Sequence, residues 1–187
     1  MKKILFAALG LALSAAAFSA DSYTVDPRHT YPMWEVNHFG WSTQRGRFNG
    51  ATGKIVLDRA AKTGSVEIVI KTASVDTGIA KWDEQMMGED FFNAAMFPTI
   101  EFKASKIVFD GDKPVSVPGE LTLLGVTKPV TLTITGFGCG TNPVNKKQVC
   151  GADAYATIKR SEFGIMKYLP SISDEVKLVI NVESFKD

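Results

Sequence analysis

Alternation of apolar and polar residues along most of the chain constrains the fold more than any other feature. Val66, Ile68 and Ile70, for example, share one face of their segment, with polar or smaller residues between them. Successive side chains of a strand point to opposite faces, so a period of two indicates half-buried strands. Turn-rich stretches separate about eight such runs, which predicts an all-β antiparallel barrel or sandwich. The alternating runs include 54–58, 65–71, 99–103, 130–135 and 176–183.

One helical stripe interrupts the strands. Ile79, Trp82 and Met86 recur at i, i+3 and i+7, which predicts one short helix over 77–88. A polar residue before its first turn would cap it, and Gly88 would end it. Two placements stay open at this point: a lid over one end of a barrel, or a crossover helix packed on the outside.

The N-terminal segment predicts export. Basic residues precede an apolar run at 4–13, and small residues follow it. The apolar run is too short to span a bilayer, which is typical of a signal peptide rather than an anchor. We therefore predict a signal peptide over 1–20, cleaved between Ala17 and Asp21. The mature chain, 21–187, has the length of a single exported domain, and we predict no transmembrane segment in it.

The charge balance argues against nucleic acid as a partner. The full chain has 21 basic and 20 acidic residues, and loss of Lys2 and Lys3 with the leader leaves a net charge of −1. Nucleic-acid binding normally needs a basic patch or block. No such block remains in the mature sequence.

The two cysteines predict a disulfide. Cys139 and Cys150 lie on either side of a turn-like Thr-Asn-Pro stretch. In an exported protein such a pair is more typical of a disulfide than of a metal site, and it would clamp the far end of a hairpin. A loop this short stabilises by about 2 to 3 kcal/mol in the chain-entropy model.

Sequence motifs for catalysis or metal binding are not found. On one regular strand His29 and His38 have opposite parity and would point to opposite faces, so we predict that they share no metal. The chain contains no HExxH, GxSxG or phosphate-loop motif. Non-enzymatic binding is therefore favoured, with no metal and no required cofactor.

Eight short motifs, in their order along the chain, resemble those of the YceI-like polyisoprenoid-binding proteins. Their shared order and spacing, over nearly the whole mature chain, carry the resemblance. The motifs are Tyr23-Thr24-Val25-Asp26 with His29, Val36-x-His38-Phe39-Gly40, Arg47-Phe48-x-Gly50, Phe97-Pro98-Thr99-Ile100-Glu101-Phe102, Ser105-Lys106, Gly119-Glu120-Leu121-Thr122, Gly125-Val126-Thr127-Lys128-Pro129-Val130 and Arg160-Ser161-Glu162-Phe163-Gly164.

The resemblance implies an extended, lipocalin-like antiparallel barrel of eight strands. It also implies a periplasmic carrier that binds a long apolar chain, such as a polyisoprenoid quinone, a prenyl pyrophosphate or a fatty amide, inside the barrel. An isoprenoid-modifying enzyme and a ligand-free structural or adhesive β-sandwich are the alternatives. The oligomeric state, monomer or homodimer, stays open.

Residue type and strand parity predict which residues line the cavity. Trp34, Val36 and His38 share one face of the first long strand, although alternation alone leaves open which parity faces inward. The predicted ligand-binding residues are Trp34, Val36, His38, Phe48, Trp82, Met86, Ile100, Phe102, Leu121, Leu123, Tyr155 and Phe163. The candidates for contact with a polar head group are Arg45, Arg47, Arg160 and Lys167.

Overall fold

A computed structural model describes residues 20–187 of the chain, and these residues form the predicted barrel. The predicted signal peptide, 1–20, lies outside the described residues apart from Ala20. The described strands are β1 Asp21–Val25, β2 Met33–His38, β3 Ser42–Phe48, β4 Ala51–Asp58, β5 Thr63–Lys71, β6 Val75–Asp76, β7 Thr99–Ala104, β8 Val108–Asp110, β9 Lys113–Leu123, β10 Val126–Thr141, β11 Gln148–Lys159 and β12 Ile172–Lys186. Helix α1 is Ala80–Met87, and short 3₁₀ turns cover Thr72–Ser74 and Arg160–Phe163.

Eight strands close into a ring in which every pairing is antiparallel. Their order is β1, β4, β5, β7, β9, β10, β11 and β12, and pairing of β12 with β1 closes the barrel. Closure removes the free strand edges that would otherwise pair with another chain. The predicted eight-stranded antiparallel barrel is confirmed.

Three further strands extend the wall at one end. The long strand β12 pairs with β1 through Ser184–Lys186 and with β2 through Ile172–Val179. Strand β3 pairs with β2, and the short β6 pairs with β3. The barrel is therefore longer on this side, and helix α1 follows directly after β6.

The helix is confirmed, but its predicted start is wrong. It begins at Ala80 rather than at residue 77, and its N-cap residue Ile79 makes no side-chain cap. Gly78 has a φ of +80°, a left-handed conformation that interrupts a right-handed helix. The carboxylate of Asp83 instead accepts hydrogen bonds from the backbone N (2.7 Å) and Oγ1 (2.6 Å) of Thr77.

The two histidines are separated, but not by parity on a shared strand as we predicted. Strand β2 begins only at Met33, and His29 lies in the preceding turn, where its backbone N donates to Asp26 O. The side chain of His29 contacts the Asp26 carboxylate at 2.9 Å. His38 instead ends β2 opposite Ile172, at the other end of the barrel.

The end of the barrel around β1 is filled with side chains. Its buried residues include Tyr23, Ala51, Leu57, Val66, Ala104, Ile107, Val117 and Cys150. The predicted disulfide is confirmed at this end: Cys139 and Cys150 are directly opposite partners on the β10–β11 hairpin and are bonded to each other. The packed core and the disulfide therefore stabilise the half of the barrel around β1.

Candidate functional site

A cavity of about 400 Å³ occupies the other half of the barrel. Its volume falls within the usual range for small-molecule sites, and most of its lining is aliphatic or aromatic. The lining contributed by the described residues contains no Asp or Glu. Such a cavity favours an apolar molecule and offers a cationic ligand group no counter-ion among the described residues.

Ten of the twelve residues predicted to contact a ligand line this cavity. They are Trp34, Val36, His38, Phe48, Trp82, Met86, Ile100, Phe102, Leu121 and Leu123. The other two lie elsewhere: Tyr155 is 41% exposed and is absent from the lining, while Phe163 is 2% exposed and packs in the core outside the cavity. Strand β11 faces inward through the small residues Ala154 and Ala156, so the aromatic side chain between them faces outward.

Of the 30 described lining residues, 18 were not predicted from the sequence, although the pattern that identifies many of them was present. The inward residues of β5 and β12 follow the same alternation that identified the strands, but alternation did not say which face was inward. The aliphatic residues found only in the structure are Ile68, Ile70, Val130, Leu132, Ile158, Ile165, Ile172, Val176, Leu178 and Ile180. Phe91, Phe92 and Tyr168, from the connections near the mouth, complete the aromatic part.

Trp34 forms one wall by lying flat against the neighbouring strand. Its register partner on β3 is Gly46, and a Cβ built there would stand 2.5 Å from Cε2 and 2.9 Å from Nε1 of the indole. Only glycine leaves room for the ring in this position. The Nε1 of Trp34 is buried and has no hydrogen-bond partner among the described residues, so packing alone holds the indole.

Arg160 is the buried charge of the cavity. It is 6% exposed and binds four backbone carbonyls: Nε donates to Ser173 O at 2.9 Å, Nη1 to Ile165 O at 3.1 Å and Lys167 O at 2.9 Å, and Nη2 to Ile172 O at 3.0 Å. Burial lowers the pKa of Arg160, yet a guanidinium stays protonated in proteins. Arg160 thus fastens the connection between β11 and β12 over the cavity.

One N–H of Arg160 remains for another acceptor. A guanidinium carries five N–H donors, and four bonds to carbonyls are formed. Among the described residues Arg160 takes part in no salt bridge. The carboxylate of the nearby Asp174 accepts hydrogen bonds from the backbone N and the Oγ of Ser161. These bonds, the backbone bond most strongly, lower the pKa of Asp174. The fifth N–H of Arg160 thus has no acceptor among the described residues.

The other three cationic candidates are engaged on the outside. Arg45 reaches the edge of the cavity, but its Nε donates to Glu35 at 2.8 Å on the outer face. Arg47 pairs with Asp76 at 3.0 Å and lies outside the lining. Lys167, also outside it, pairs with Asp90 at 3.0 Å, and this hydrogen bond raises the pKa of the lysine.

Side chains of α1 and of the β11–β12 connection cover the mouth. Trp82, Gln85 and Met86 of the helix face the cavity, as does Tyr168 of the connection. Gln85 Nε2 donates to Tyr168 Oη at 3.4 Å and joins the two segments. The helix therefore lies over the cavity, as in the first of the two placements that the sequence left open.

Two kinds of site are not found in the described part of the chain. No group of three His, Cys, Asp or Glu side chains within residues 20–187 could hold a metal ion. No helix in that range is long and apolar enough to cross a bilayer.

Comparison with known proteins agrees over the full length of the chain. The family model described as YceI-like domain matches residues 23–184. A UPF0312 protein of Pseudomonas paraeruginosa is 36% identical over 192 residues, which cover 100% of this chain and 99% of that protein.

Two solved structures share the fold. The crystal structure of Burkholderia cenocepacia BcnA superposes with a TM-score of 0.70 and 26% identity, covering 85% of this chain and 98% of BcnA. A polyisoprenoid binding domain from Saccharophagus degradans, implicated in plant cell wall breakdown, superposes with a TM-score of 0.63. At 16% identity over 88% of this chain and 98% of that domain, this second likeness shows the fold alone.

Proposed function

Since this chain belongs to the YceI-like domain family, we propose that it is a periplasmic carrier that holds a long-chain apolar ligand inside its barrel. Polyisoprenoid quinones, prenyl pyrophosphates and fatty amides are the ligand classes that fit. The observation that carries the proposal is the cavity of about 400 Å³, whose lining by the described residues is mostly apolar and free of carboxylates. The name of the Saccharophagus degradans domain supports the isoprenoid class by analogy of fold.

Burial of the chain supplies the binding energy. Each CH₂ moved from water into an apolar site contributes about 0.8 kcal/mol, so ten carbons contribute about 8 kcal/mol. Ordering of a flexible chain and of the lining side chains offsets part of this gain. A net value near 8 kcal/mol, which a chain longer than ten carbons would reach, corresponds to a Kd of about 1 μM and suits a carrier that must also release its ligand.

Arg160 is the group we assign to the polar end of the ligand. Its fifth N–H and its charge, which forms no salt bridge within the described residues although Asp174 acts on it from nearby, favour a phosphate or a carbonyl oxygen over a second hydrocarbon end. The ten predicted lining residues would contact the chain itself. Arg45 has a smaller role in this proposal because Glu35 already holds it.

The first experiment identifies the bound molecule. Protein purified from a bacterial periplasm without detergent should carry a mass of several hundred daltons in native mass spectrometry, removable by organic solvent. Repeated isolation of ligand-free protein that also takes up no quinone or prenyl analogue would overturn the proposal.

Neighbouring residues of β5 offer a matched pair of variants. Ile68 lines the cavity, whereas Val69 lies on the opposite face of the same strand. Ile68→Asn should lower ligand occupancy at least tenfold, because a buried amide without a partner is costly. Val69→Asn should leave occupancy unchanged, and equal effects of the two substitutions would contradict binding inside the barrel.

We propose binding without chemical conversion of the ligand. Among the described lining residues His38 and Tyr168 alone are of the usual acid–base types, and neither has a partner carboxylate in that lining. Ligand recovered after prolonged incubation should be chemically unchanged. Turnover of a prenyl substrate that His38→Ala abolishes while binding persists would instead identify an enzyme.

A further inference from the structure

The mouth of the cavity is surrounded by exposed apolar side chains. We define the apolar rim as Phe39 and Trp41 of the β2–β3 turn, Ile79 and Trp82 at the start of α1, and Met166 and Tyr168 of the β11–β12 connection. Each is at least 45% exposed, and Trp41 is 81% exposed. An apolar patch of this kind on a protein surface marks an interaction site.

Contacts between the three segments make the rim continuous. The Phe39 and Trp41 rings stack with centroids 5.0 Å apart. The backbone N of Phe39 donates to Ser171 O at 2.8 Å, which joins the turn to the β11–β12 connection. Gln85 links that connection to α1 through Tyr168. The rim therefore encircles the same opening that Trp82 and Tyr168 line from within.

The charge of this end of the barrel restricts what can dock there. The segments 77–98 and 160–171 carry a net charge of −2, and the β2–β3 turn carries none. A second copy of the chain in a symmetric contact would face the same acidic surface, so repulsion opposes a dimer across the rim. The carboxylates are Asp83, Glu84, Glu89, Asp90 and Glu162, against the cations Lys81, Arg160 and Lys167.

We propose that the apolar rim docks onto the surface of a zwitterionic lipid bilayer, so that the ligand passes directly between bilayer and cavity. Trp and Tyr side chains favour the interface between lipid and water, because one end of each ring is apolar and the other polar. Because the segments around the rim carry a net negative charge, anionic lipid should weaken this contact slightly rather than strengthen it.

Direct transfer avoids the aqueous step that limits a lipid carrier. Each methylene that must pass through water slows escape from the bilayer about fourfold, so ten carbons slow it about a millionfold. A contact that joins the cavity mouth to the bilayer removes this penalty. This inference rests on the proposed function, since it assigns the route by which the same cavity is filled.

Vesicle flotation tests the rim, with vesicles of phosphatidylcholine and phosphatidylethanolamine. The wild-type protein should float with the vesicles, and added salt should not release it. Trp41→Ser should weaken partitioning at least tenfold, because most of this indole is exposed and available for insertion. Tyr155→Ser changes an exposed aromatic residue outside the rim, 41% exposed against 81% for Trp41, and should have no effect.

Transfer kinetics test the direct route. The rate of quinone uptake from vesicles should rise in proportion to vesicle concentration, and Trp41→Ser should slow it. Absence of flotation, equal effects of the two serine variants, or a rate independent of vesicle concentration would overturn the proposal. A wild-type dimer in sedimentation that Trp41→Ser converts to monomer would assign the rim to a second copy instead.

Failure of the proposed function gives a different result from failure of the docking inference. Quinone delivered from a cyclodextrin complex reaches the cavity without a membrane. Uptake from cyclodextrin without flotation would overturn the rim alone. Flotation without uptake from either source would overturn the carrier function.

Discussion

Substitution of Gly46 by alanine tests whether packing of Trp34 on β3 shapes the cavity wall. The new Cβ would stand 2.5 Å from Cε2 of the indole, whereas carbon atoms in contact are normally 3.5 to 4.0 Å apart. The ring must therefore move by about 1 Å, into the cavity that it lines. Overpacking of this kind costs about 1 to 3 kcal/mol.

Gly138→Ala is the matched control. Gly138 lies in β10, and its Cβ would meet nothing within 4 Å. Alanine there should raise the free energy of unfolding by about 0.4 to 1 kcal/mol, because it reduces the entropy of the unfolded chain. The same gain offsets part or all of the clash at Gly46, so Gly46→Ala should lower the free energy of unfolding by about 0 to 2.6 kcal/mol.

Urea denaturation and quinone titration measure the two effects. With a slope of about 1 to 3 kcal/mol/M, the midpoints of the two alanine variants should differ by about 1 M. Displacement of the ring removes room for one or two methylenes, so the Kd for a decyl quinone should rise about four- to fifteenfold in Gly46→Ala alone.

The double variant Trp34→Phe/Gly46→Ala should recover both stability and affinity. Phenylalanine lacks the ring atoms nearest to the new Cβ, and the Nε1 that it removes has no described partner to lose. We expect a coupling energy of about 1 to 3 kcal/mol between the two positions. If Gly46→Ala matches Gly138→Ala in stability and in affinity, the reasoning about this wall is wrong.

Three further predictions concern stability. Reduction of the disulfide, or Cys139→Ser with Cys150→Ser, should lower the free energy of unfolding by about 2 to 3 kcal/mol in denaturant titrations, and reductant should not affect the double variant. Hydrogen bonds from Arg28 hold the pKa of the buried Asp26 below its usual range, so its stabilisation is present above about pH 4 and is lost as the pH falls further. Asp26→Asn should therefore lower the free energy of unfolding by about 1.5 to 3 kcal/mol at pH 7, and this difference from the wild type should disappear in acid. A difference in unfolding free energy that stays constant with pH would contradict the role of the Asp26 carboxylate. Thr72→Val, which removes a buried 2.7 Å bond to a backbone carbonyl, should cost about 1 to 3 kcal/mol in the same assay, whereas an unchanged midpoint would mean that the bond contributes nothing.

Local patterns predicted the elements of this fold well. Alternation located the main strands, helical spacing located the stripe of Trp82 and Met86, and residue type with compartment predicted the disulfide. These signals depend on neighbouring residues in one segment and need no knowledge of the partner strand. The predicted start of the helix was wrong because Gly78 has a left-handed backbone conformation, so the helix begins only at Ala80.

The cavity wall was only partly predictable, for a different reason. Residue size favoured Tyr155 as a lining residue, but the inward face of its strand carries the alanines on either side of it. Phe163 was a reasonable aromatic candidate, yet it packs beside the cavity rather than in it. Which side chains meet depends on register with other strands, which the local pattern does not contain.

By itself the sequence of this protein determined the all-β class, the short helix and the clamped hairpin, because each follows from periodicity or from residue chemistry over a few positions. Tertiary structure alone decided which face of each strand turns inward, since a period of two looks the same from either side. It also decided that one half of the barrel is packed and the other open, and that Arg160 and the apolar rim lie at the open end. Those arrangements arise from ring closure and from contacts between segments far apart in the chain.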